Sequence, residues 1–450
     1  MSATPDAATG TGRPELKRTL RFWDLIVYGL AYIAPIAPLS TLGFVWDKSN
    51  GLIALAYVLG GICMYFTAKS YAIMSESLPT AGSVYGFARH ALGTFPGFIA
   101  GWMILLDYLL IPALVYVLIA VALSTLVPGV DRSVWIVLMV AFTLGVNWFG
   151  VTVTTRVNFV AVGFQVLLLL GLLALGTWAL LHGKGSGHLT MQPFYESSRF
   201  RVAAVLAATS ICINSFLGFD AISTLSEEVE GGDRRVVGRA IIAVLVISAA
   251  FFVLVSWILG NLMAGLAIHD PSAAAYELAA ASIGPWAAVV LAWGYATLIG
   301  LSNALPMQVG VARILYAMGR DRQLPQALAR IHPRYHTPYV GMIVTAAISL
   351  AVAIAMRNML DELATIVNFG ALSGFLLLHV SVIRHFGVRL QSRQWFAHWA
   401  SPVLGIIVVL GVFYGMTGMA TILGLCWLGV GIVYGAILHV KRRDELSASL

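Results

Sequence analysis

Two aspartates stand where the chain is otherwise apolar: Asp107 in GWMILLDYLLIP and Asp220 in SFLGFDAISTLSEE. A carboxylate in such surroundings holds a cation, holds a proton, or accepts hydrogen bonds from backbone groups. Left ionised and unpaired at the centre of a bilayer it costs at least about 2.5 kcal/mol. No Lys or Arg falls in the middle of any apolar run, so the chain brings no obvious counter-charge to that depth. A cationic substrate or coupling ion is the sharper reading, with Asp220, beside Gly218, the better placed of the two. A protonated aspartate bonded between helices is the alternative, and it weighs more for Asp107. Tyr108 follows Asp107, and helical neighbours point about 100° apart, so only one of them faces a given cavity. Pro112, four residues on, removes the donor for the Tyr108 carbonyl. A ring beside a free carbonyl suits an alkylammonium; a tyrosine that only packs is the other open reading.

The remaining polar residues offer little other chemistry. The histidines, among them His182, His188, His269, His332 and His336, lie mostly in loops and make no metal-ligand spacing. There is no P-loop, nucleophile elbow or dinucleotide fingerprint. No metal, cofactor or catalytic residue is expected, nor ATP-driven transport by this chain alone. Cys63, Cys212 and Cys426 all fall in apolar runs, and the expectation is that they pack in the core. Glu227 and Glu228 close the run after Asp220, close to Arg234. They form either an inner-gate ion pair or an ordinary solvated helix end.

These residues need elements to hold them, and composition dictates which. The chain is 59% hydrophobic and 10% charged, with a mean hydropathy of +0.88. Soluble domains carry about 25% charged residues, so lipid must be the solvent here. At about 20 apolar residues per span, the sequence divides into about twelve. The runs fall at 22–46, 51–75, 95–127, 134–149, 158–182, 202–226, 236–266, 284–312, 339–356, 363–383, 402–418 and 420–440. Residues 1–21 read as a polar tail, because the apolar run that follows is too long for a signal peptide; 441–450 form a second tail. If the N-terminus is cytoplasmic, cytoplasmic segments hold 21 of the 27 Lys and Arg residues. That positive-inside split puts the chain in the cytoplasmic membrane with both termini on the cytoplasmic side. It also accounts for the pI near 9.4 without nucleic acid.

Two runs are interrupted. The first contains GLAYIAPIAP, where Pro35 and Pro38 cannot sit in an unbroken helix; the break from Tyr32 through Ala34 and Pro35 to Pro38 would supply free carbonyls. The sixth has Asn214-Ser215-Phe216-Leu217-Gly218-Phe219-Asp220 at mid-span. The breaks are five spans apart, so the two runs point in opposite directions, which is the pattern of an inverted-repeat transporter.

With these segments in view, the chain resembles the amino acid/polyamine/organocation (APC) superfamily of permeases, and within it the bacterial putrescine importers. The likeness runs from Arg21 through the twelfth run. It rests on GLAYIAPIAP, LPTAGSVYGFAR, GWMILLDYLLIP, SFLGFDAISTLSEE, RILYAMGRDRQLP, HPRYHTP and NFGAL. The resemblance implies an all-α integral membrane fold of about twelve transmembrane helices. A 5+5 inverted-repeat (LeuT-like) core would take residues 22–182 and 202–383, with two C-terminal helices at 402–440. It implies a substrate between the first, third, sixth and eighth helices, with Asp220, after Gly218 and Phe219, meeting an amine, and with Asp107 and Tyr108 matching the importer pattern. Two departures bear on substrate and coupling. The first run lacks the Gly-x-Gly that holds a carboxylate in many amino-acid permeases, which favours a diamine. The fifth run carries Gln165 where some proton-coupled relatives carry a Lys. The function implied is secondary uptake of a small cationic amine with a proton or other coupling ion. A permease for neutral or basic amino acids is the alternative, and a channel or membrane enzyme the reading from another class.

The charge split makes a direct prediction. In intact cells a membrane-impermeant thiol reagent should label His188→Cys and spare Asp233→Cys; the reverse pattern would overturn the orientation.

Overall fold

The computed structural model describes residues 20–78, 83–149, 155–225, 229–230, 235–320, 322–335 and 337–448. Helices account for every apolar run. The first span is α1 (Phe22–Ile33) and α2 (Pro38–Lys48), bent by 54°. The second is α3 (Ile53–Ser77), followed by the short α4 (Ser83–Leu92). The third to fifth are α5 (Thr94–Leu126), α6 (Arg132–Trp148) and α7 (Thr155–Leu181). The sixth begins with α8 (Val202–Cys212) and the seventh is α9 (Arg235–Met263). After a loop helix, α10 (Ala274–Ser282), the eighth span is α11 (Pro285–Ile299) and α12 (Leu305–Arg320). The last four are α13 (Tyr339–Ala355), α14 (Leu360–Val382), α15 (Ser401–Gly415) and α16 (Gly418–Ala448). Among the described residues nine helices are long and apolar enough to cross a membrane; the bent first pair makes a tenth, and α6 and α13 are shorter apolar helices. The fold is an all-α multi-pass membrane protein.

The interruptions have identifiable causes. At the first, α1 ends on Ala34, at φ 57°, and α2 starts on Pro38, whose missing N–H is an orphan at a helix start in any case. At the sixth, α8 passes into a 3-10 turn (Ile213–Phe216), then extended Leu217 and Gly218 at φ 115°, then a second 3-10 stretch (Phe219–Leu225). No proline acts there; the positive φ of glycine makes the turn. The eighth span has a break the sequence reading did not anticipate: a π-helical turn over Gly300–Ala304 just before Pro306, which lacks the N–H to continue the ladder.

Burial sorts the spans. The third and tenth are the most enclosed, with 72% of their apolar windows buried, whereas the twelfth has only 17% and faces outward. Glycines let the helices close up without a hydrophobic driving force between them. A Cβ at Gly431 would lie 2.3 Å from Trp102, and one at Gly435 2.7 Å from Phe98. Trp102 stacks on Trp427 at 4.6 Å, and each indole N–H donates to the other's backbone carbonyl at 2.9 Å. One expectation needs correcting. Cys63 and Cys212 are buried, but Cys426 is exposed, because α16 turns a wide face outward. That helix also continues to Ala448, through most of the stretch read as a tail.

The face opposite Leu20, here the distal face, is closed by a charged cluster. Arg132 Nη2 donates to Asp270 Oδ2 at 2.5 Å and Ser272 Oγ at 3.1 Å, and its Nη1 to the Arg357 carbonyl at 3.4 Å. The loop that carries Asp270 lies on α2 so tightly that a Cβ at Gly43 would be 2.4 Å from the Pro271 carbonyl oxygen. Burial would raise the pKa of Asp270, but hydrogen bonds from Ser272 and the charge of Arg132 outweigh it and hold the carboxyl below its ordinary value. A depressed carboxylate contributes its stability above its unfolded pKa, about 3.9, and loses it as pH falls through the folded value. At neutral pH the latch is therefore fully charged. Asp270→Asn should speed amide hydrogen exchange in residues 264–273 several-fold at pH 7, and unchanged exchange there would remove the latch.

Candidate substrate-binding site

The two principal breaks meet at mid-span. Gly218 lies flat against the Tyr32–Ile33 peptide; a Cβ there would be 3.0 Å from the Tyr32 carbonyl carbon. Positive φ and this close approach both demand glycine. Pro35 has no N–H for the Ala31 carbonyl, and the bend parts the Tyr32 carbonyl from its helical partner. Asn303, in the π turn of the eighth span, donates its amide to both carbonyls at 3.4 Å. Behind it Ser302 Oγ bonds Asn303 Oδ1 at 2.8 Å, and Gln165 Nε2 donates to Ser302 Oγ at 3.3 Å. The sixth span has a matching clamp: Asn368 Nδ2 donates to the Ser210 carbonyl at 2.6 Å. Tyr57 Oη links the two breaks, 3.2 Å from Thr41 Oγ1 and 3.2 Å from Ser215 Oγ.

Around this junction the structure gathers most of the residues singled out in the sequence. Asp220 is half-buried at the start of the second 3-10 stretch, and its Oδ2 accepts from Tyr71 Oη at 3.4 Å. Tyr108 is half-buried on α5 and within electrostatic reach of Asp220, Asp107, Tyr32 and Tyr28. Tyr32 stacks at a tilt on Tyr28, with ring centroids 5.1 Å apart. Ala34 is buried and lines a cavity on the distal side of the breaks, with Tyr32, Ser40, Leu118, Asn214 and Asn303. Pro35 is buried within the turn itself. Asp107 is 6% exposed, on the wall next to α14.

Phe219 does not face the junction. It is fully buried, with its ring 5.8 Å from Tyr71 and 6.1 Å from Phe375, so it props the Tyr71 hydroxyl towards Asp220. Glu227, Glu228 and Arg234 lie outside the described residues. The ion pair described near them is another one: Arg21 Nε with Glu230 Oε2 at 2.6 Å, both exposed. Beside it Leu20 and Val229 form an isolated parallel bridge, so the start of the first span is tied to the segment after the sixth. The eighth span continues as helix past Gly310, and a Cβ at that glycine would be 3.9 Å from Tyr32 Oη.

Sequence reasoning missed Tyr71, Asn303 and Asn368. Ser302-Asn303 just before Pro306 is a polar pair in mid-run and could have been found; Asn368 sat inside a segment used only for its likeness; nothing distinguishes Tyr71 among the tyrosines. Chemically, the junction presents a partly open carboxylate, several phenol oxygens, aromatic faces and carbonyls, a set that can hold an ammonium group.

Broken spans packed against one another around a polar junction, in a chain of this many membrane helices, define a membrane transporter rather than an enzyme. Residues 24–437 match the amino acid permease family, and the chain belongs to it. It is 31% identical over 443 residues to the low-affinity putrescine importer PlaP of Escherichia coli K12, covering 97% of each chain. It is 28% identical to the branched-chain amino acid permease BcaP of Bacillus subtilis, over 98% of this chain and 97% of the relative. A methylthioribose transporter of Bacillus subtilis is 26% identical over 96% and 95%.

If Asn303 clamps the first break, Asn303→Ala leaves two carbonyls without their donor at membrane depth and should cost roughly 1–3 kcal/mol. Thermal unfolding in detergent measures this, and a variant as stable as the parent would refute the clamp.

Proposed function

We propose that this protein takes up a small cationic amine of the putrescine type across the cytoplasmic membrane, by alternating access, driven by the proton gradient or the membrane potential. The face that carries Leu20 is cytoplasmic in this reading, with both termini inside. The repeats at 22–182 and 202–383 move against one another around the junction, and the helices at 402–440 lie outside the core. The observation that carries the reading is Asp220: a half-buried carboxylate at the turn of the sixth span, bonded by a phenol rather than neutralised by a base. In this role Asp220 binds an ammonium, Tyr108 lays its ring against the alkyl-ammonium end, and the break from Tyr32 to Pro38 supplies carbonyls. The likeness to a putrescine importer along almost the whole chain supports the same substrate class.

One observation favours a second reading. The chain is also similar along almost its whole length to a branched-chain amino acid permease, which supports an amino acid as substrate. A competition panel of putrescine, spermidine, lysine, arginine and neutral amino acids against labelled uptake separates the two.

A charge-assisted hydrogen bond contributes roughly 1.5–3 kcal/mol, so Asp220→Asn should lower diamine uptake at least about tenfold, mainly through affinity, while the protein still inserts. Normal transport by the variant, or its failure to accumulate in the membrane, would reject Asp220 as the ammonium site. Wild-type uptake restricted to neutral amino acids would reject the cation reading.

A further inference from the structure

Asp107 and Asp220 are unlike in their surroundings. Asp220 is half-buried and has a phenol donor. Asp107 is 6% exposed, and its Oδ1 is fully buried with no hydrogen-bond partner among the described residues. Nor is its backbone free to swing the group elsewhere. Gly370 of α14 sits so close that a Cβ there would be 2.8 Å from the Asp107 nitrogen and 2.9 Å from the Met103 carbonyl oxygen, and one at Gly374 would be 2.5 Å from Ile104. The third and tenth spans are locked together at Asp107.

An ionised carboxylate with a buried oxygen and no donor among the described residues is far costlier than a carboxylic acid in the same place. Its charged neighbour adds to that cost, because Asp107 and Asp220 repel one another, and two carboxylates sharing a low-dielectric site do not both ionise cheaply. Among the described residues, Tyr71 from the second span and Tyr108 from the third bring phenols within electrostatic reach of this position. The face of α14 packed on it places Gly370 and Gly374 against α5.

We propose that Asp107 is the residue that carries the coupling proton and exchanges it against the second charge of a diamine. This rests on the cation reading of Asp220. In the empty carrier the pair holds one negative charge, on Asp220, and the proton stays on Asp107. An ammonium at Asp220 cancels the charge that opposes ionisation of Asp107. The O–H bond of Asp107 then breaks, its proton passes to water on the side to which the site is open, and the second ammonium of the diamine becomes the partner that the new carboxylate requires. Release of the diamine on the other side leaves Asp107 to take up a proton there. One diamine moves in and one proton moves out, so a dication carries one net positive charge inward and the membrane potential drives the cycle.

The test is proton release on binding, followed in weakly buffered detergent solution with purified full-length protein and putrescine as the probe. The wild type should release about one proton per putrescine bound, and its affinity should weaken as pH falls. Asp107→Asn resembles the protonated acid, so it should fold, bind putrescine more weakly and release no proton, with a dissociation constant that does not change with pH. Proton release persisting in Asp107→Asn, or putrescine binding by the wild type without release, would overturn the assignment of Asp107 alone. Failure of Asp107→Asn to accumulate would also overturn it, because an Asp that must be charged to hold the fold is not the proton carrier. A wild type that binds no putrescine fails the cation reading instead.

Discussion

The constraint on which the rest depends is that a broken helix inside a membrane frees backbone carbonyls that water cannot reach. Irregular backbone survives at that depth only where protein or a cavity satisfies it. Here the satisfaction comes from side chains on other spans. Asn303 takes the Ala31 and Tyr32 carbonyls, and Asn368 takes that of Ser210. Asn303 is in turn oriented by Ser302 and Gln165. The first break therefore depends on the eighth and fifth spans, and the sixth on the tenth. Any movement that opens the junction must trade these bonds for others, so the breaks and their clamps move as connected units.

Charge acts on the same small region. Asp107 and Asp220 lie within electrostatic range of one another and of the phenols of Tyr71 and Tyr108, and Asp220 also accepts backbone hydrogen bonds. At the distal face the balance is different: Arg132 is matched by Asp270, and Arg357 Nε lies 3.8 Å from Asp131. The distal cluster spends its charges on one another and pins the loop after the seventh span over α2. At the junction no salt bridge to Asp107 or Asp220 is found among the described residues. That asymmetry separates a structural closure from a place that can hold a cation. The exposed pair Arg21 and Glu230 sits at the opposite face, where solvent screens such a contact to little energetic worth; it marks a meeting of chain segments more than it secures one.

The sequence made much of this legible, and the reasons are physical. Spans are long apolar runs whatever their neighbours, so all twelve runs could be delimited. Pro35 and Pro38 announce a break because proline lacks a donor, and a carboxylate among leucines stands out because its cost is intrinsic. What could not be read depends on which span lies beside which. Tyr71 becomes a partner of Asp220 only because the second and sixth spans pack together. Phe219 turns from the junction because Tyr71 and Phe375 take its ring. Cys426 looked like a core residue because an apolar run cannot say which of its faces meets protein and which meets lipid.

The polarity of the first break bears on what it can bind. A helix start directs the positive end of its dipole at the gap and a helix end the negative, and this gap has both: α1 ends there and α2 begins. Taken alone the dipoles do not choose between an anion and a cation. The hydrogen bonds do. Pro35 and Pro38 have no N–H. Those of Ala34 and Ala37 are spent on Leu30 and Ala34, and those of Leu39 and Ser40 on Ile36 and Ala37. The donors that would make the start of α2 an anion site are thus mostly consumed within the turn. A carbonyl oxygen has two lone pairs, so those of Ala31 and Tyr32 keep capacity beyond the bonds from Asn303. A break that keeps acceptor capacity and few of its donors suits an ammonium better than a carboxylate, the sign of ligand that the proposed role of Asp220 also requires.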